Sequence, residues 1–152
     1  MITLRKRSAL WVFIREFVSS PTAVGAVWPS SRRLAKHLAA QVSLPSRGLV
    51  IELGAGTGVV TQALLERGVS PEKLVVVERA PAFVRYLRAR FPSIRVILGD
   101  ASLLGSLLPP GELVDAIVSS LPLRTLPSTE VAAIVRQWRR TLAPGGSAIQ
   151  FT

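Results

Sequence analysis

The hydrophobic positions after residue 47 follow two alternating patterns along the chain. Short, nearly continuous apolar runs predict buried strands, and segments with apolar residues three or four positions apart predict helices. The predicted strands cover residues 49–53, 74–78, 95–98, 114–119 and 148–152, and the predicted helices cover residues 60–67, 81–91 and 129–142. Strands that alternate with helices predict an α/β fold, in which helices cover both faces of a doubly wound, parallel sheet.

The first 47 residues follow a different pattern and form a separate N-terminal segment, ahead of the domain at residues 48–152. Five apolar residues lie at helical spacing, with Trp11 at the edge of their stripe: Leu10, Phe13, Ile14, Phe17 and Val18. Arg5, Lys6 and Arg7 come just before it. The pattern predicts a basic amphipathic helix, which either lies on an anionic membrane surface or packs on the core of the domain.

The charge of the chain points to an anionic partner. The net charge is +10, and residues 1–47 contribute +7 of it, from eight basic residues and one acidic residue. Residues 48–152 contribute +3, from eleven basic and eight acidic residues. Such an asymmetry is typical of proteins that bind nucleic acid or a membrane surface, and charge alone does not separate the two.

The composition excludes several kinds of site. There is no cysteine, which excludes disulfides, thiolate metal sites and cysteine nucleophiles. The single histidine, His37, cannot form a metal cluster alone, so we predict no metal site and expect this side chain to lie exposed on a helix. No apolar run reaches the roughly 18 residues of a membrane-spanning helix, and the run at residues 9–14 is too short for a signal peptide. We therefore expect a cytoplasmic protein.

The stretch VIELGAGTG, residues 50–58, carries the first chemical signal. It places a glycine loop directly after a predicted strand, where ligands bind in doubly wound sheets. The spacing is G-x-G-x-G, and Val59 stands where a dinucleotide-binding loop has its last glycine. A bare loop without that glycine suits a nucleoside that carries an amino-acid tail, which is S-adenosylmethionine.

Two carboxylates at the ends of the next strands support this interpretation. Glu78 ends the second strand, where an acidic side chain can accept hydrogen bonds from both ribose hydroxyls. Asp100 ends the third strand, where it can accept from an adenine amino group while the N–H of Ala101 meets a ring nitrogen. We predict that the three strand ends line one crevice.

Residues 48–152 resemble the class I S-adenosylmethionine-dependent methyltransferases in four motifs: VIELGAGTG, VVVE, GDA and IVSSLPL. With the preceding SSPTAVGAVWPSSRRLAKHLA, the chain is most similar to the bacterial phospholipid N-methyltransferases, which also resemble the rRNA adenine dimethylases. The resemblance implies a Rossmann-like, mostly parallel sheet and S-adenosylmethionine as cofactor. It also implies N-methylation of a phospholipid, phosphatidylethanolamine, by an enzyme held peripherally on the inner membrane surface.

The resemblance also implies roles for individual residues. The cofactor-binding residues would be Glu52, Gly54, Gly56, Thr57, Gly58, Glu78, Asp100, Ala101 and Ser119. Glu52 would orient the glycine loop or bind the methionine ammonium. The catalytic loop would be Ser119, Ser120, Leu121 and Pro122, whose hydroxyls and backbone carbonyls would position the amine. No general base is evident, so water or a residue outside this sequence would take the proton.

The loop departs from the pattern of the adenine dimethylases. Those enzymes carry an Asn-Leu-Pro-Tyr type of loop, and this chain has Ser120-Leu121-Pro122-Leu123. The Asn and the aromatic residue hold a flipped base by hydrogen bonding and stacking, so methylation of nucleic acid is the weaker alternative.

The end of the sequence opens a third possibility. This fold normally has seven strands, and the last two are absent here, so the chain is alternatively a cofactor-binding fragment without activity. The exposed edge of the fifth strand would then favour pairing with another copy of the chain.

Basic residues after position 28 leave two interpretations open. Arg32, Arg33 and Lys36 follow a predicted helix start at Pro29-Ser30-Ser31, and they either meet a lipid phosphate or form one exposed helix face. Trp28 and Pro29 cover the cofactor, line the lipid entry or pack on the domain.

Overall fold

The computed structural model describes residues 29–151, and it describes side chains from residue 31 onward. The predicted amphipathic stripe at residues 10–18, its basic lead at residues 5–7 and Trp28 lie outside the described residues. The division of the chain at residue 47 therefore stays a prediction.

The described residues form a five-stranded sheet with helices on both faces. The strands are β1 (Leu49–Leu53), β2 (Leu74–Glu78), β3 (Arg95–Leu98), β4 (Val114–Ser119) and β5 (Leu142–Gln150). The helices are α1 (Pro29–Ala40), α2 (Val59–Arg67), α3 (Pro81–Arg90), α4 (Leu104–Leu107) and α5 (Ser128–Thr141), and short 3₁₀ turns cover Pro71–Lys73 and Ala101–Leu103. The strand order is β3-β2-β1-β4-β5 and every pairing is parallel, which confirms the predicted α/β class and the doubly wound, Rossmann-like sheet.

The order of the strands places a topological switch point at β1. Chain connections run from β1 outward to β2 and β3 on one side, and to β4 and β5 on the other. Ligands bind at the carboxyl ends of the strands beside such a point, because the loops separate there. The glycine loop follows β1 directly, so the fold brings it to the predicted position.

Two apolar clusters cover the two faces of the sheet. One contains Leu38, Leu64 and Leu87 from α1, α2 and α3, and the other contains Ile134 and Trp138 from α5. All residues of β1 and β2 are buried, because both of their faces are covered. This explains why these strands are continuous apolar runs rather than alternating ones.

The structure corrects the predicted end of the last helix and the start of the last strand. We predicted a helix over residues 129–142, stopped by Pro144-Gly145-Gly146, and a strand from residue 148. The helix ends at Thr141 and the strand begins at Leu142, which pairs with Val114 before the ladder resumes at Ser147. Residues 143–146 form a bulge in β5, and Gly145 takes a φ of 82° there. The short α4 was not predicted, because a single turn has too few residues for a helical pattern.

β5 lies at one edge of the sheet, and among residues 29–151 its only strand neighbour is β4. Pairing of this open edge with another copy of the chain remains a prediction. No helix in the described part of the chain is both long enough and apolar enough to cross a bilayer. His37 lies exposed on α1, as predicted.

The connection from α1 to β1 is held by one carboxylate, Asp115 of β4. Its Oδ2 accepts hydrogen bonds from the backbone N–H groups of Arg47 and Gly48, both at 2.7 Å, and from the Ser46 hydroxyl at 3.3 Å. The N–H of Gly48, followed by that of Arg47, holds the pKa of this carboxyl below its ordinary value. Asp115 therefore anchors the segment that brings α1 onto the sheet.

We expect Asp115→Ala to lower the free energy of unfolding by about 1–3 kcal/mol, because two backbone donors lose a charged acceptor. Glu112→Ala is the matched control, since Glu112 makes only a partly exposed ion pair with Arg95 at 3.4 Å, of the kind worth about 0–1 kcal/mol. Urea denaturation of both variants measures the difference. Equal losses in the two variants would contradict the anchoring role.

Candidate active site

A cavity of about 450 Å³ opens at the carboxyl ends of the strands, within the usual size range of small-molecule sites. Its walls come from the glycine loop, the ends of β2 and β3, the loop after β4, and helices α1 and α5. The predicted site residues on these walls are Gly54, Gly56, Thr57, Glu78, Asp100, Ala101, Ser120, Leu121 and Pro122. The three strand ends therefore line one crevice in the structure.

The glycine loop uses its three glycines for different purposes. Gly54, Gly56 and Gly58 have φ values of 74°, 54° and 82°, in the left-handed region that favours glycine. A Cβ on Gly56 would meet nothing within 4 Å, so its main chain is open to the cavity. A Cβ on Gly58 would lie 2.6 Å from the ring of Phe91, and Gly58 does not line the cavity. Gly58 therefore packs closely against Phe91, and its predicted contact with the cofactor stays a prediction.

Glu78 joins the glycine loop to the end of β2. Its Oε2 accepts from the N–H of Gly56 at 3.0 Å and its Oε1 from the N–H of Ala80 at 2.9 Å. The side chain lines the cavity, although it is only 6% exposed. An ionised carboxylate has about four acceptor positions, so each oxygen keeps one position for a ligand hydroxyl.

Asp100 and Ala101 form the wall at the end of β3. Oδ1 of Asp100 accepts from the N–H of Ser102 at 2.8 Å, which starts the 3₁₀ turn. The second carboxylate oxygen, Oδ2, accepts from none of the described residues. The N–H of Gly99 donates to the carbonyl of Glu78 at 3.1 Å, which ties the ends of β2 and β3 together.

Glu52 is fully buried in β1 and does not reach the cavity. Its Oε2 accepts from the hydroxyl of Thr61 on α2 at 2.6 Å, and its Oε1 has no partner among the described residues. Burial raises the pKa of this carboxyl to about 7; the Thr61 hydroxyl opposes the shift, and the nearby Glu78 charge adds to it. The geometry therefore gives no contact with a methionine ammonium and leaves the other predicted role, in which Glu52 orients the loop through α2.

Ser119 also lies behind the wall. Its side chain is fully buried, and its hydroxyl oxygen accepts from the N–H of Leu121 at 3.3 Å. In this position Ser119 supports the loop that follows, and its predicted contacts with the cofactor and the substrate stay predictions.

The next three loop residues reach the cavity, but their polar groups differ. The carbonyl of Leu121 accepts from the N–H of Leu123 and from the amide of Gln150, both at 2.9 Å. The carbonyl of Pro122 accepts from the N–H and the hydroxyl of Thr125, at 2.9 and 3.0 Å. Because a carbonyl has two lone pairs, both positions of each oxygen are already used within the protein, which disfavours the predicted positioning of an amine by these carbonyls.

Ser120 is the exception in this loop. Its Oγ is buried and has no hydrogen-bond partner within the described part of the chain. A buried hydroxyl without a partner is costly in free energy, so an unsatisfied one at a cavity wall suits a polar ligand atom. Ser120 is therefore the predicted catalytic residue that offers a free polar group.

Several wall residues were missed by sequence reasoning. Arg79 and Glu130 line the cavity and form an ion pair at 3.3 Å. Their positions are 51 residues apart, so no local spacing could have shown the contact. The wall from α1 consists of Ser31, Leu34, Ala35 and Leu38, and their helical spacing was a readable signal.

Residues 50–146, most of the chain, match the family model described as a methyltransferase domain. The chain belongs to this family. The methyltransferase is 33% identical over 148 residues to the ornithine lipid N-methyltransferase of Singulisphaera acidiphila. The alignment covers 93% of this chain and 77% of that protein.

Two solved structures share the fold of this methyltransferase. One is the PH0226 protein of Pyrococcus horikoshii, with a TM-score of 0.69, 22% identity, and coverage of 90% of this chain and 64% of that one. The other is the N-methyltransferase NodS of Bradyrhizobium japonicum in complex with S-adenosyl-L-homocysteine, with a TM-score of 0.69 and 19% identity. That alignment covers 91% of this chain and 70% of NodS. The chain thus spans less than two thirds of the length of the Pyrococcus protein.

Together, the family match, the relative and the fold confirm the prediction of a class I S-adenosylmethionine-dependent methyltransferase. They also confirm S-adenosylmethionine as the predicted cofactor. The cavity fits this group, because the open main chain of Gly56 lies beside two carboxylates with acceptor positions left, those of Glu78 and Asp100.

The raised pKa of Glu52 predicts a pH-dependent stability. The folded carboxyl keeps its proton up to about pH 7, whereas the unfolded chain releases it near the ordinary value of 4.5. The folded state binds more protons in this window, so stability falls as pH rises through it. Relative to Glu52→Gln, we expect the wild type to lose about 2–3 kcal/mol of unfolding free energy between about pH 5 and about pH 8. Urea denaturation at both pH values measures this, and parallel pH dependences would show that Glu52 does not titrate as described.

We expect Glu78→Gln and Asp100→Asn each to weaken binding of S-adenosylmethionine by about 1–3 kcal/mol, because each removes a charged acceptor from the cavity wall. Calorimetric titration measures the loss, and Glu112→Gln, at the opposite end of the sheet, is the control. Unchanged affinity in both variants would place the cofactor elsewhere.

Proposed function

We propose that this methyltransferase transfers the methyl group of S-adenosylmethionine to the primary amine of a membrane lipid head group, with phosphatidylethanolamine as the substrate. The observation that carries the proposal is the Ser120 hydroxyl, which is buried without a partner among the described residues, in a loop that lines a mainly apolar cavity. The similarity to an ornithine lipid N-methyltransferase supports it, since both lipids carry a primary amine.

The cofactor would be held by the half of the cavity next to β1, β2 and β3. Glu78 would accept from the ribose hydroxyls and Asp100 from the adenine amino group, while the N–H of Ala101 would donate to the ring. Gly54, Gly56 and Thr57 would let the main chain approach the ligand closely. When bound, S-adenosylmethionine supplies a methyl group on a sulfonium, which is reactive toward amines.

The acceptor amine would lie beside Ser120. An alkylamine of this kind has an ordinary pKa near that of lysine, about 10.4, so in water little of it is neutral. The apolar side chains of Leu121, Leu126 and Ile134 line the same cavity and disfavour the charged form. The Ser120 oxygen would accept a hydrogen bond from the amine and orient its lone pair, while the displaced proton passes to water.

A lipid amine fits this loop better than a nucleobase does. Base-modifying enzymes hold an extruded base by hydrogen bonds to its edge and by stacking on flat side chains. The loop Ser120-Leu121-Pro122-Leu123 has neither an amide side chain nor an aromatic ring. Methylation of rRNA and a cofactor-binding role without activity are therefore alternatives that the experiment below must separate.

The membrane contact belongs to the same proposal. The basic segment at residues 1–47 would bind the anionic inner membrane surface peripherally, and the open edge of β5 would be the place of any self-association. The contact of the basic segment would bring the cavity to its lipid substrate.

The direct experiment supplies labelled S-adenosylmethionine with phosphatidylethanolamine vesicles, with ornithine lipid vesicles and, separately, with rRNA. We expect label in the phosphatidylethanolamine fraction. Label in rRNA alone would favour the nucleic-acid alternative, and cofactor binding without any transfer would favour an inactive cofactor-binding domain.

Ser120→Ala tests the proposed acceptor contact. We expect the rate of transfer to fall about tenfold, since one hydrogen bond to the reacting amine is lost, while cofactor affinity stays unchanged. Ser93→Ala, an exposed serine ahead of β3, is the matched control. Equal rates in the two variants would remove Ser120 from the mechanism.

A further inference from the structure

A second cleft, separate from the cavity, lies between α1, α2 and the end of α3. It has a volume of about 270 Å³, and its polar lining consists of Arg32, Lys36, Gln62, Glu66 and Arg90. Three cations face one carboxylate, which leaves an excess of two positive charges. The three cationic side chains belong to exposed residues on two different helices, so the cleft is a product of the fold.

Among the described residues, no carboxylate forms an ion pair with the cations of the cleft, Arg32, Lys36 and Arg90. Glu66 accepts from the amide of Gln62 at 3.1 Å instead. Arg32 and Lys36 also lie one helical turn apart, where like charges destabilise a helix, and α1 contains no carboxylate to offset them. Helix stability therefore does not explain this arrangement.

Arg90 is held in place at the floor of the cleft. Its Nη1 donates to the carbonyl of Thr57 at 2.8 Å, and its guanidinium lies 4.9 Å from the centre of the Phe91 ring. Two contacts on one side chain reduce the freedom that binding would otherwise remove. The remaining guanidinium N–H groups have no partner among the described residues and are available to an anion.

The cleft adjoins the active-site cavity. Val59 lines both, and α1 turns Leu34 and Leu38 toward the cavity while it turns Arg32 and Lys36 toward the cleft. Arg90 is bonded to Thr57, which belongs to the glycine loop. An anion in the cleft would therefore sit beside the cofactor loop, on the other side of the same helix.

We infer that this cleft binds the phosphate group of an anionic membrane lipid and docks the protein on the bilayer with its cavity beside the surface. Guanidinium and ammonium groups from several elements are the usual recognition set for phosphate. Docking on lipid is favoured over RNA because, among residues 31–151, the cleft lining has no aromatic side chain on which a base could stack. The inference rests on the proposed function in one respect: the lipid substrate is the reason to assign the phosphate to a membrane lipid.

The test is co-sedimentation of the full chain with vesicles, without any cofactor. Vesicles of phosphatidylcholine are compared with vesicles that also contain phosphatidylglycerol, and an RNA oligomer is compared in parallel. The variant Arg32→Gln/Lys36→Gln removes two charges that make no hydrogen bond to the described residues. The control Arg139→Gln/Arg140→Gln removes two exposed charges from the last turn of α5, so both variants have the same net charge.

We expect the cleft variant to lose binding to the phosphatidylglycerol vesicles by about tenfold or more, and the control variant to lose about twofold or less. Arg90→Gln should also weaken binding. Both double variants keep residues 1–28, so any contribution of that segment to binding cancels in the comparison. Equal losses in the two variants would mean that net charge alone attracts the protein, which would overturn the inference.

Two further outcomes are decisive. Cleft-dependent binding to RNA without binding to vesicles would overturn the lipid source in favour of nucleic acid. Glycerol phosphate is a soluble compound with the same phosphate group as the lipid. If the cleft binds glycerol phosphate but the protein does not bind vesicles, membrane docking is overturned. Because no methyl transfer is measured, loss of docking in the cleft variant supports the inference even where the proposed activity fails.

Discussion

The site depends on the carboxylate of Glu78, which holds two loops by hydrogen bonds beside the switch point of the sheet. Glu78 accepts the N–H of Gly56 with one oxygen and the N–H of Ala80 with the other. The first bond holds the glycine loop across the end of β2, and the second starts α3. Because the side chain also faces the cavity, the group that shapes the loop is the one proposed to bind the ribose. A structural role and the proposed contact with the ligand thus fall on a single residue.

A second carboxylate lies behind the first and has a different environment. Glu52 stands in a strand whose every residue is buried, and its hydrogen-bond donor is the Thr61 hydroxyl. Burial favours its neutral form, while Glu78, at the cavity, keeps backbone donors for both oxygens. The two acids therefore differ in position: Glu52 supports α2 from inside the sheet, and Glu78 faces the cavity.

Helix α1 connects the two candidate sites of the molecule. Its apolar residues close the cavity above the glycine loop, and its basic residues form one wall of the cleft. Asp115 holds the segment that follows α1 against β4, so the position of the helix is set by the sheet. A contact made by the basic residues with a lipid surface would consequently be made close to the cofactor loop.

The sequence by itself determined the class of the fold, most of its elements and the strand ends that bear the candidate site. Local periodicity located four of the five strands, and parallel topology then brought Gly56, Glu78 and Asp100 to one edge. It could not determine which neighbours face the cavity. Glu52, Gly58 and Ser119 stand within these same motifs, yet pleating and packing turn them inward.

Only the tertiary structure decided which polar groups remain free. The carbonyls of Leu121 and Pro122 are saturated, in part by Gln150 from a distant strand, whereas the Ser120 hydroxyl is not. Residues far apart along the chain come together in the Arg79–Glu130 ion pair and in the cleft that Arg90 lines with α1. Side-chain direction and hydrogen-bond saturation depend on such long-range contacts, whereas periodicity records only which residues are buried locally.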